Sequence, residues 1–150
     1  MIAYPDTSFL CAVYVAQGNS LPAIAHYRNM TEPLQVTALL LYEFRQSARF
    51  QTYLHRQDPR KGYADAVAAK ALADLQANIA SGGVVIVPAD WADVLAKAEH
   101  LSAQSAANGG HRAFDLLHIA TALHLGAREF LTFDARQAAL AKAEGLRVRP

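Results

Sequence analysis

The fold of this chain is decided by residues 112–134, which read RAFDLLHIATALHLGAREFLTFD. Apolar residues over 113–125 follow helical spacing, and Gly126 then ends the helical pattern. Residues 129–132 form a short apolar run of the kind found in a buried strand. Asp134 follows this strand almost directly, so the unit runs from helix to strand to acid.

A strand followed by an acid also opens the chain. Residues 1–5, MIAYP, form a short apolar segment that suits a buried strand, and Asp6-Thr7-Ser8 then offers N-cap chemistry to a helix. In a parallel sheet the carboxyl ends of the strands share one edge, which is where open α/β sheets bind their ligands. We therefore expect Asp6 and Asp134 to project at the same edge.

The segments between these two units alternate in the same way, with short apolar strands between helices. We predict three further strands, over residues 34–37, 84–87 and 146–149, the last of them at the edge of the sheet. We predict helices over residues 9–17, 21–30, 38–54, 60–80, 90–107, 113–125 and 134–143.

This alternation predicts an α/β fold class. We expect a three-layer α/β/α domain with a central, mainly parallel sheet of four to five strands, covered by helices on both faces. No internal repeat, low-complexity tract or linker interrupts the sequence, so residues 1–150 should form a single domain.

Composition narrows the class of protein. The chain is 53% hydrophobic and 18% charged, which is typical of a folded globular domain and unlike a disordered one. The one cysteine, Cys11, excludes an intrachain disulfide and a zinc site made of cysteines, and fits a reducing cytoplasm. We expect a cytoplasmic protein without a membrane partner, because the N-terminus lacks a basic signal-peptide region and no apolar run approaches the ~20 residues of a membrane span.

Four acids are candidates for one functional site: Asp6, Glu43, Asp115 and Asp134. Each has a simpler interpretation, because an Asp between strand and helix commonly serves as an N-cap and Glu43 could be an exposed helix residue. Clustered carboxylates repel one another at low dielectric, and a divalent cation such as Mg²⁺ or Mn²⁺ removes that cost. Such ions assist phosphodiester hydrolysis. The spacing shows that the four acids could converge, and leaves both interpretations open.

Four segments together resemble the PIN-domain family and, within it, the VapC-like toxins of type II toxin–antitoxin systems. They occur in the family's order over almost the whole chain. The segments are Asp6-Thr7-Ser8, Leu41-Tyr-Glu-Phe-Arg45, Arg112 to Ala122, and Gly126-Ala127 leading into Phe130-Leu-Thr-Phe-Asp134.

This resemblance implies a Mg²⁺- or Mn²⁺-dependent endoribonuclease that hydrolyses RNA phosphodiester bonds. All four acids match the family's catalytic, metal-binding positions. Asp6 and Asp115 would be metal ligands, whereas Glu43 and Asp134 would bind a second ion or act through water. The family's supporting hydroxyls match Thr7 or Ser8, and Thr132. The candidates for contacts with RNA phosphates are Arg45, Arg49 and Arg112.

The same resemblance implies three partners. They are an RNA substrate, a small cognate antitoxin protein that covers the groove, and a second copy of the chain in a homodimer. The net charge of +1 neither supports nor excludes RNA binding.

Alternatives to the nuclease hypothesis remain open. The chain could be a catalytically inactive PIN-fold module that binds RNA or protein. A haloacid-dehalogenase-like phosphatase is disfavoured, because such enzymes carry Asp-x-Asp after the first strand and Ser8 stands at the second Asp position. Arg112 could be a structural salt-bridge partner, and Arg45 and Arg49 could belong to a solvated helix face. For His118 we favour a partly buried helix histidine satisfied by a neighbour over a catalytic role.

Overall fold

The computed structural model of the protein describes residues 2–150. Its five strands have three residues each: β1 Ala3–Pro5, β2 Leu34–Val36, β3 Val84–Ile86, β4 Glu129–Leu131 and β5 Arg147–Arg149. All five predicted strands are present. Met1, where the first predicted strand began, lies outside the described residues.

Eight α-helices connect and follow the strands. They are α1 Thr7–Tyr14, α2 Ser20–Arg28, α3 Ala38–Gln57, α4 Asp65–Ala80, α5 Trp91–Leu101, α6 Ala107–Gly109, α7 Ala113–His124 and α8 Ala135–Ala143. A π-helical turn, Ser102–Ala106, separates α5 from α6 where the sequence predicts one continuous helix.

The second difference from the predicted helices concerns the connection between α3 and α4. We predicted that the second of these helices begins at residue 60, but it begins at Asp65. Gly62 has a positive φ of 57°, and a Cβ there would lie 2.0 Å from the carbonyl oxygen of Gln51. The chain therefore turns against α3 at a glycine before the next helix can start.

The strands form two parallel sheets, one of three strands and one of two. β1 pairs with β4, β4 pairs with β5, and β2 pairs with β3, all in parallel. β1 and β2 lie side by side where the two sheets meet, so the spatial order of the strands is β3-β2-β1-β4-β5, and the described residues form no hydrogen-bonded ladder between β1 and β2. The Tyr4 hydroxyl and Thr37 Oγ1 are 3.1 Å apart across the β1–β2 junction, where the two hydrogen-bonded ladders meet.

The strand order reverses at β1. From β1 the chain continues to β2 and β3 on one side, and returns to β4 and β5 on the other. The crevice outside the carboxyl ends of β1 and β4 is therefore the topological switch point, where open α/β sheets bind ligands. The predicted edge for Asp6 and Asp134 is this crevice.

Helices cover the sheet in two groups. Helices α1 to α4 contact one another, and α5, α7 and α8 form a second set of contacts. The core between them is built from fully buried side chains, the largest being Tyr4, Phe9, Phe44 and Phe130. This arrangement confirms the α/β/α fold class. Among the described residues, no helix has both the length and the hydropathy that a bilayer crossing requires.

Candidate functional site

Asp6 lies at the carboxyl end of β1 and is fully buried. Its backbone N–H donates to the carbonyl of Leu131 at 2.9 Å, which extends the β1–β4 pairing by one residue. Oδ1 accepts hydrogen bonds from the Ser8 hydroxyl at 2.6 Å and from the Phe9 N–H at 2.9 Å. Oδ2 accepts from the Thr132 hydroxyl at 2.6 Å. Asp6 therefore caps α1, and it also joins the ends of two strands.

Two hydroxyl groups connect this carboxylate to the loop after β4. Ser8 Oγ accepts from the Phe133 N–H at 2.9 Å, and Thr132 Oγ1 accepts from the Asp134 N–H at 2.9 Å. Thr132 thus contacts two of the predicted acids, Asp6 through its hydroxyl hydrogen and Asp134 through its oxygen. The sequence left Thr7 and Ser8 as alternatives, and the structure uses Ser8 for Asp6.

The electrostatic environment of Asp6 is unfavourable for its charge. Burial raises the pKa of this carboxyl group, and the hydrogen bonds from Ser8, Thr132 and the Phe9 N–H only partly oppose that rise. A cation beside the carboxylate would stabilise its ionised form.

Glu43 lies on α3, and its side chain is half-buried at 29% exposure. Its Oε2 accepts hydrogen bonds from the Thr7 hydroxyl and from Nε2 of His118, the latter at 2.5 Å. Burial raises the pKa of Glu43, but hydrogen bonds from His118 and Thr7 and the electrostatic influence of His118 and Arg112 outweigh it, so the pKa lies below its ordinary value. Glu43 is therefore not merely an exposed helix residue.

Asp115 and Asp134 line one open cavity of about 440 Å³, together with Arg112 and Arg136. Asp115 is 6% exposed, and its Oδ2 accepts from the Arg112 N–H at 3.0 Å at the start of α7. Asp134 caps α8, since its Oδ1 accepts from the N–H groups of Arg136 at 2.8 Å and Gln137 at 3.0 Å. Asp134 is an N-cap, as its simpler interpretation held, whereas Asp115 is the third residue of α7 and accepts from the N–H of the N-cap residue Arg112. Both acids also face the same cavity.

The predicted arginines separate into two groups. Arg112 lies at the cavity, and its Nε is 3.5 Å from Asp115, so it is also a weak structural partner. Arg45 follows Glu43 by two positions on α3, which turns its side chain by about 200° around the helix axis. Arg49, six positions on, is turned by about 240°. Neither shares the face of α3 that carries Glu43.

Two functional candidates were missed or underrated in the sequence. Arg136 lines the cavity, and its position two residues after a strand-end acid was the available signal. We expected His118 to be partly buried, but it is only 1% exposed. Its Nε2 is satisfied by a neighbour, as expected, and the neighbour is Glu43. No local pattern could reveal this contact, because the two residues are 75 positions apart.

The donor set fits a hard divalent cation by its chemistry. Among residues 2–150, no three His, Cys, Asp or Glu side chains are close enough to form a complete metal cage. Mg²⁺ does not need one, because it usually keeps several waters and takes one or two carboxylates from the protein. Buried Asp6, with its raised pKa, and the cavity acids Asp115 and Asp134 offer only hard oxygen ligands.

The chain is similar in fold to three solved structures from bacteria. VapC20 of Mycobacterium tuberculosis, a toxin that cleaves the sarcin–ricin loop, shares 20% identity over 99% of both chains, with a TM-score of 0.66. VapBC-1 of nontypeable Haemophilus influenzae shares 14% identity over 99% of this chain and 97% of that one, with a TM-score of 0.61. FitAcB from Neisseria gonorrhoeae shares 16% identity over 100% and 97%, with a TM-score of 0.61.

At these identities the structural similarity establishes the fold. A comparison with curated proteins finds no match. The family model of the PIN domain, however, matches residues 3–143, which is nearly the whole chain and includes all four candidate acids. The chain belongs to the PIN domain family.

Proposed function

We propose that this chain is a Mg²⁺- or Mn²⁺-dependent endoribonuclease and the toxin of a type II toxin–antitoxin system. The observation that carries this proposal is the cavity at the carboxyl edge of the sheet, where Asp115 and Asp134 lie beside Arg112 and Arg136. Carboxylates that accept a cation, next to guanidinium groups that accept a phosphate, suit a phosphodiester substrate.

Asp6 and Asp115 would hold the cation, with Glu43 and Asp134 at a second ion or at a water molecule. When bound, the cation supplies charge neutralisation at the leaving oxygen and activation of the attacking water. Arg112 projects from the start of α7 with 79% of its side chain exposed, which leaves its guanidinium free to bind a phosphate oxygen.

The position of Asp134 suits an orienting role. Its Oδ1 is occupied by the N-terminal amides of α8, which fixes the carboxylate in place. Oδ2 is then the oxygen available to accept a hydrogen bond from the attacking water and align it with the phosphate. The rigid attachment of Asp134 to both α8 and Thr132 supports this role.

The proposed partners follow from the same charge pattern. An RNA strand would cross the cavity with its phosphates toward Arg112 and Arg136. A small antitoxin would inhibit the enzyme in the cytoplasm by placing a basic side chain among the acids, and the toxin would act as a homodimer. Family membership and the fold shared with VapC20 support this assignment.

The test is RNA cleavage by the purified protein, assayed on tRNA, rRNA and mRNA with Mg²⁺, Mn²⁺ or EDTA. We expect cleavage with either ion and none with EDTA. The Asp6→Asn and Asp115→Asn substitutions should abolish cleavage. Both variant proteins should still unfold cooperatively on heating, which shows that they are folded. Asp65→Asn, a matched loss of one carboxylate at an exposed position on α4, should cleave like the wild type.

Two outcomes would contradict the proposal. If the wild type cleaves none of these RNAs with either ion, the chain is instead an inactive PIN-fold module that binds RNA or protein. If both Asn variants cleave at the wild-type rate, the cation site lies elsewhere.

A further inference from the structure

We propose that Thr7 and His118 are positioning residues that hold Glu43 by one carboxylate oxygen and leave the other for a divalent cation. This inference rests on the proposed function, because it assumes that a cation binds beside Glu43. It assigns a role to two residues that do not themselves touch the cation.

The contacts are concentrated on a single oxygen. Thr7 is the first residue of α1, Glu43 lies in the second turn of α3, and His118 lies in the second turn of α7. Oε2 of Glu43 accepts hydrogen bonds from both of the others. Among the described residues, no hydrogen bond reaches Oε1 of Glu43. The carboxylate is therefore anchored on one side and available on the other.

The surroundings of His118 indicate that it serves Glu43. The ring is 1% exposed, and its centroid lies 6.3 Å from that of Tyr4 and 6.4 Å from that of Phe114. Its Nδ1 has no hydrogen-bond partner within the part of the chain that the structure describes. An apolar side chain would fill this aromatic site without the cost of burying two polar nitrogens. Among residues 2–150, the contact with Glu43 is the one polar interaction that a histidine adds there.

Anchoring Glu43 has a consequence for cation binding. A free glutamate has three rotatable bonds, and fixing them when a cation binds costs conformational entropy. The hydrogen bonds from Thr7 and His118 fix the side chain of Glu43 when the protein folds. The cation therefore binds to an oxygen whose position is already set. Thr7 also directly follows Asp6, so the turn that orients Asp6 orients Glu43 as well. Two acids from distant parts of the sequence are thus set by one segment.

The experiment is a Mn²⁺ titration by isothermal titration calorimetry, without RNA, on the wild type and two pairs of variants. His118→Leu removes the donor, and His118→Gln keeps an N–H donor at the end of a side chain of similar length. Thr7→Val removes the hydroxyl, and Thr7→Ser keeps it. Because partners of metal ligands typically contribute 10- to 100-fold to metal affinity, we expect His118→Leu and Thr7→Val to raise the Kd for Mn²⁺ about 10-fold. The Kd of His118→Gln and of Thr7→Ser should stay within about 3-fold of the wild-type value.

A double-mutant cycle separates positioning from general structural support. In a Glu43→Gln background there is no carboxylate to position, so His118→Leu should change the Mn²⁺ Kd no further. An equal 10-fold loss in both backgrounds would show that His118 supports the fold as a whole and would overturn the inference. If His118→Leu does not fold, the Thr7→Val and Thr7→Ser pair carries the same test through the other donor.

The outcomes also separate this inference from the proposed function. If the wild type binds Mn²⁺ and cleaves RNA while all four variants bind Mn²⁺ with the wild-type Kd, the positioning role is wrong and the nuclease assignment stands. If the wild type neither binds Mn²⁺ nor cleaves RNA, the proposed function is wrong, and the positioning role is wrong with it.

Discussion

The candidate site has two halves that differ in burial and in the use of their hydrogen bonds. In the buried half, Asp6 is fully enclosed, and both of its oxygens accept hydrogen bonds, from Ser8, Phe9 and Thr132. In the open half, Asp115 and Asp134 face a cavity of about 440 Å³ that two arginines also line. One half is held by the ends of β1 and β4, and the other by the first turns of α7 and α8.

This difference assigns separate tasks to the two halves. In the buried half, hydrogen bonds from residues at two strand ends fix the carboxylate of Asp6. The same burial disfavours the ionised form and raises the pKa of Asp6. Asp134 and the small exposed part of Asp115 face the open cavity, where solvent and a polyanionic ligand can reach them. A substitution in the buried half should therefore change stability and activity together, whereas one in the open half should change activity or binding alone.

Thr132→Val should have the largest combined effect, because this hydroxyl joins the halves by donating to Asp6 and accepting from the Asp134 N–H. Losing it leaves one oxygen of the buried Asp6 and the part-buried N–H of Asp134 without this partner, and an unsatisfied buried group costs about 1–3 kcal/mol. We expect the free energy of unfolding to fall by about 2 kcal/mol in urea denaturation and RNA cleavage to fall about 100-fold. Thr132→Ser is the matched control and should retain most of both. A larger loss in Thr132→Ser than in Thr132→Val would mean that the methyl group, not the hydroxyl, matters.

Arg112→Ala tests the open half and should separate binding from stability. Its guanidinium is mostly exposed, so we expect the free energy of unfolding to stay within about 0.5 kcal/mol of the wild type. RNA affinity, measured in EDTA to prevent cleavage, should fall about 10-fold, with a shallower dependence on salt. Arg49→Ala is the comparison, because its side chain points away from Glu43 on α3. If Arg49→Ala weakens binding more than Arg112→Ala, the RNA lies along α3 and not across the cavity.

The contrast between the halves also explains which parts of the site the sequence could predict. Asp6 and Asp134 were placed correctly because a short apolar run followed by an acid is a local signal, and the parallel sheet brings both strand ends to one edge. Their capping of α1 and α8 is equally local. The five strands were predictable because each is a short extended segment that follows or precedes a helical pattern.

Contacts between distant elements could not be predicted. Thr7 and Ser8 are adjacent in sequence, yet Thr7 reaches Glu43 and Ser8 reaches Asp6. The sequence can place these two hydroxyls near the acids. It cannot show which hydroxyl contacts which acid, because that depends on how α1 packs against α3. The contact of His118 with Glu43 depends in the same way on the tertiary fold, which brings a residue of α7 to a residue of α3 that lies 75 positions away in the sequence.

The smallest predicted effect is a gain in stability from Asp6→Asn in the absence of a cation. Because burial raises the pKa of Asp6 in the folded state, the fold binds this proton more tightly than the unfolded chain does. The stability from this group is thus fully present at low pH and is lost as pH rises through the folded-state pKa. In EDTA at pH 8 we expect the neutral Asn to raise the Tm by about 3 °C, which corresponds to about 1 kcal/mol for a domain of this size.

At pH 5 in EDTA this gain should shrink, because the wild-type carboxyl group is then closer to its protonated form. Adding Mg²⁺ at pH 8 should reverse the order of the two melting temperatures, since the cation stabilises only the protein that retains the carboxylate. Glu99→Gln, at an exposed position on α5, should melt like the wild type under all three conditions. A lower Tm for Asp6→Asn than for the wild type in EDTA at pH 8 would mean that Asp6 stabilises the fold. Asp6 would then serve only as the N-cap of α1, and the cation would be bound by Asp115 and Asp134 alone.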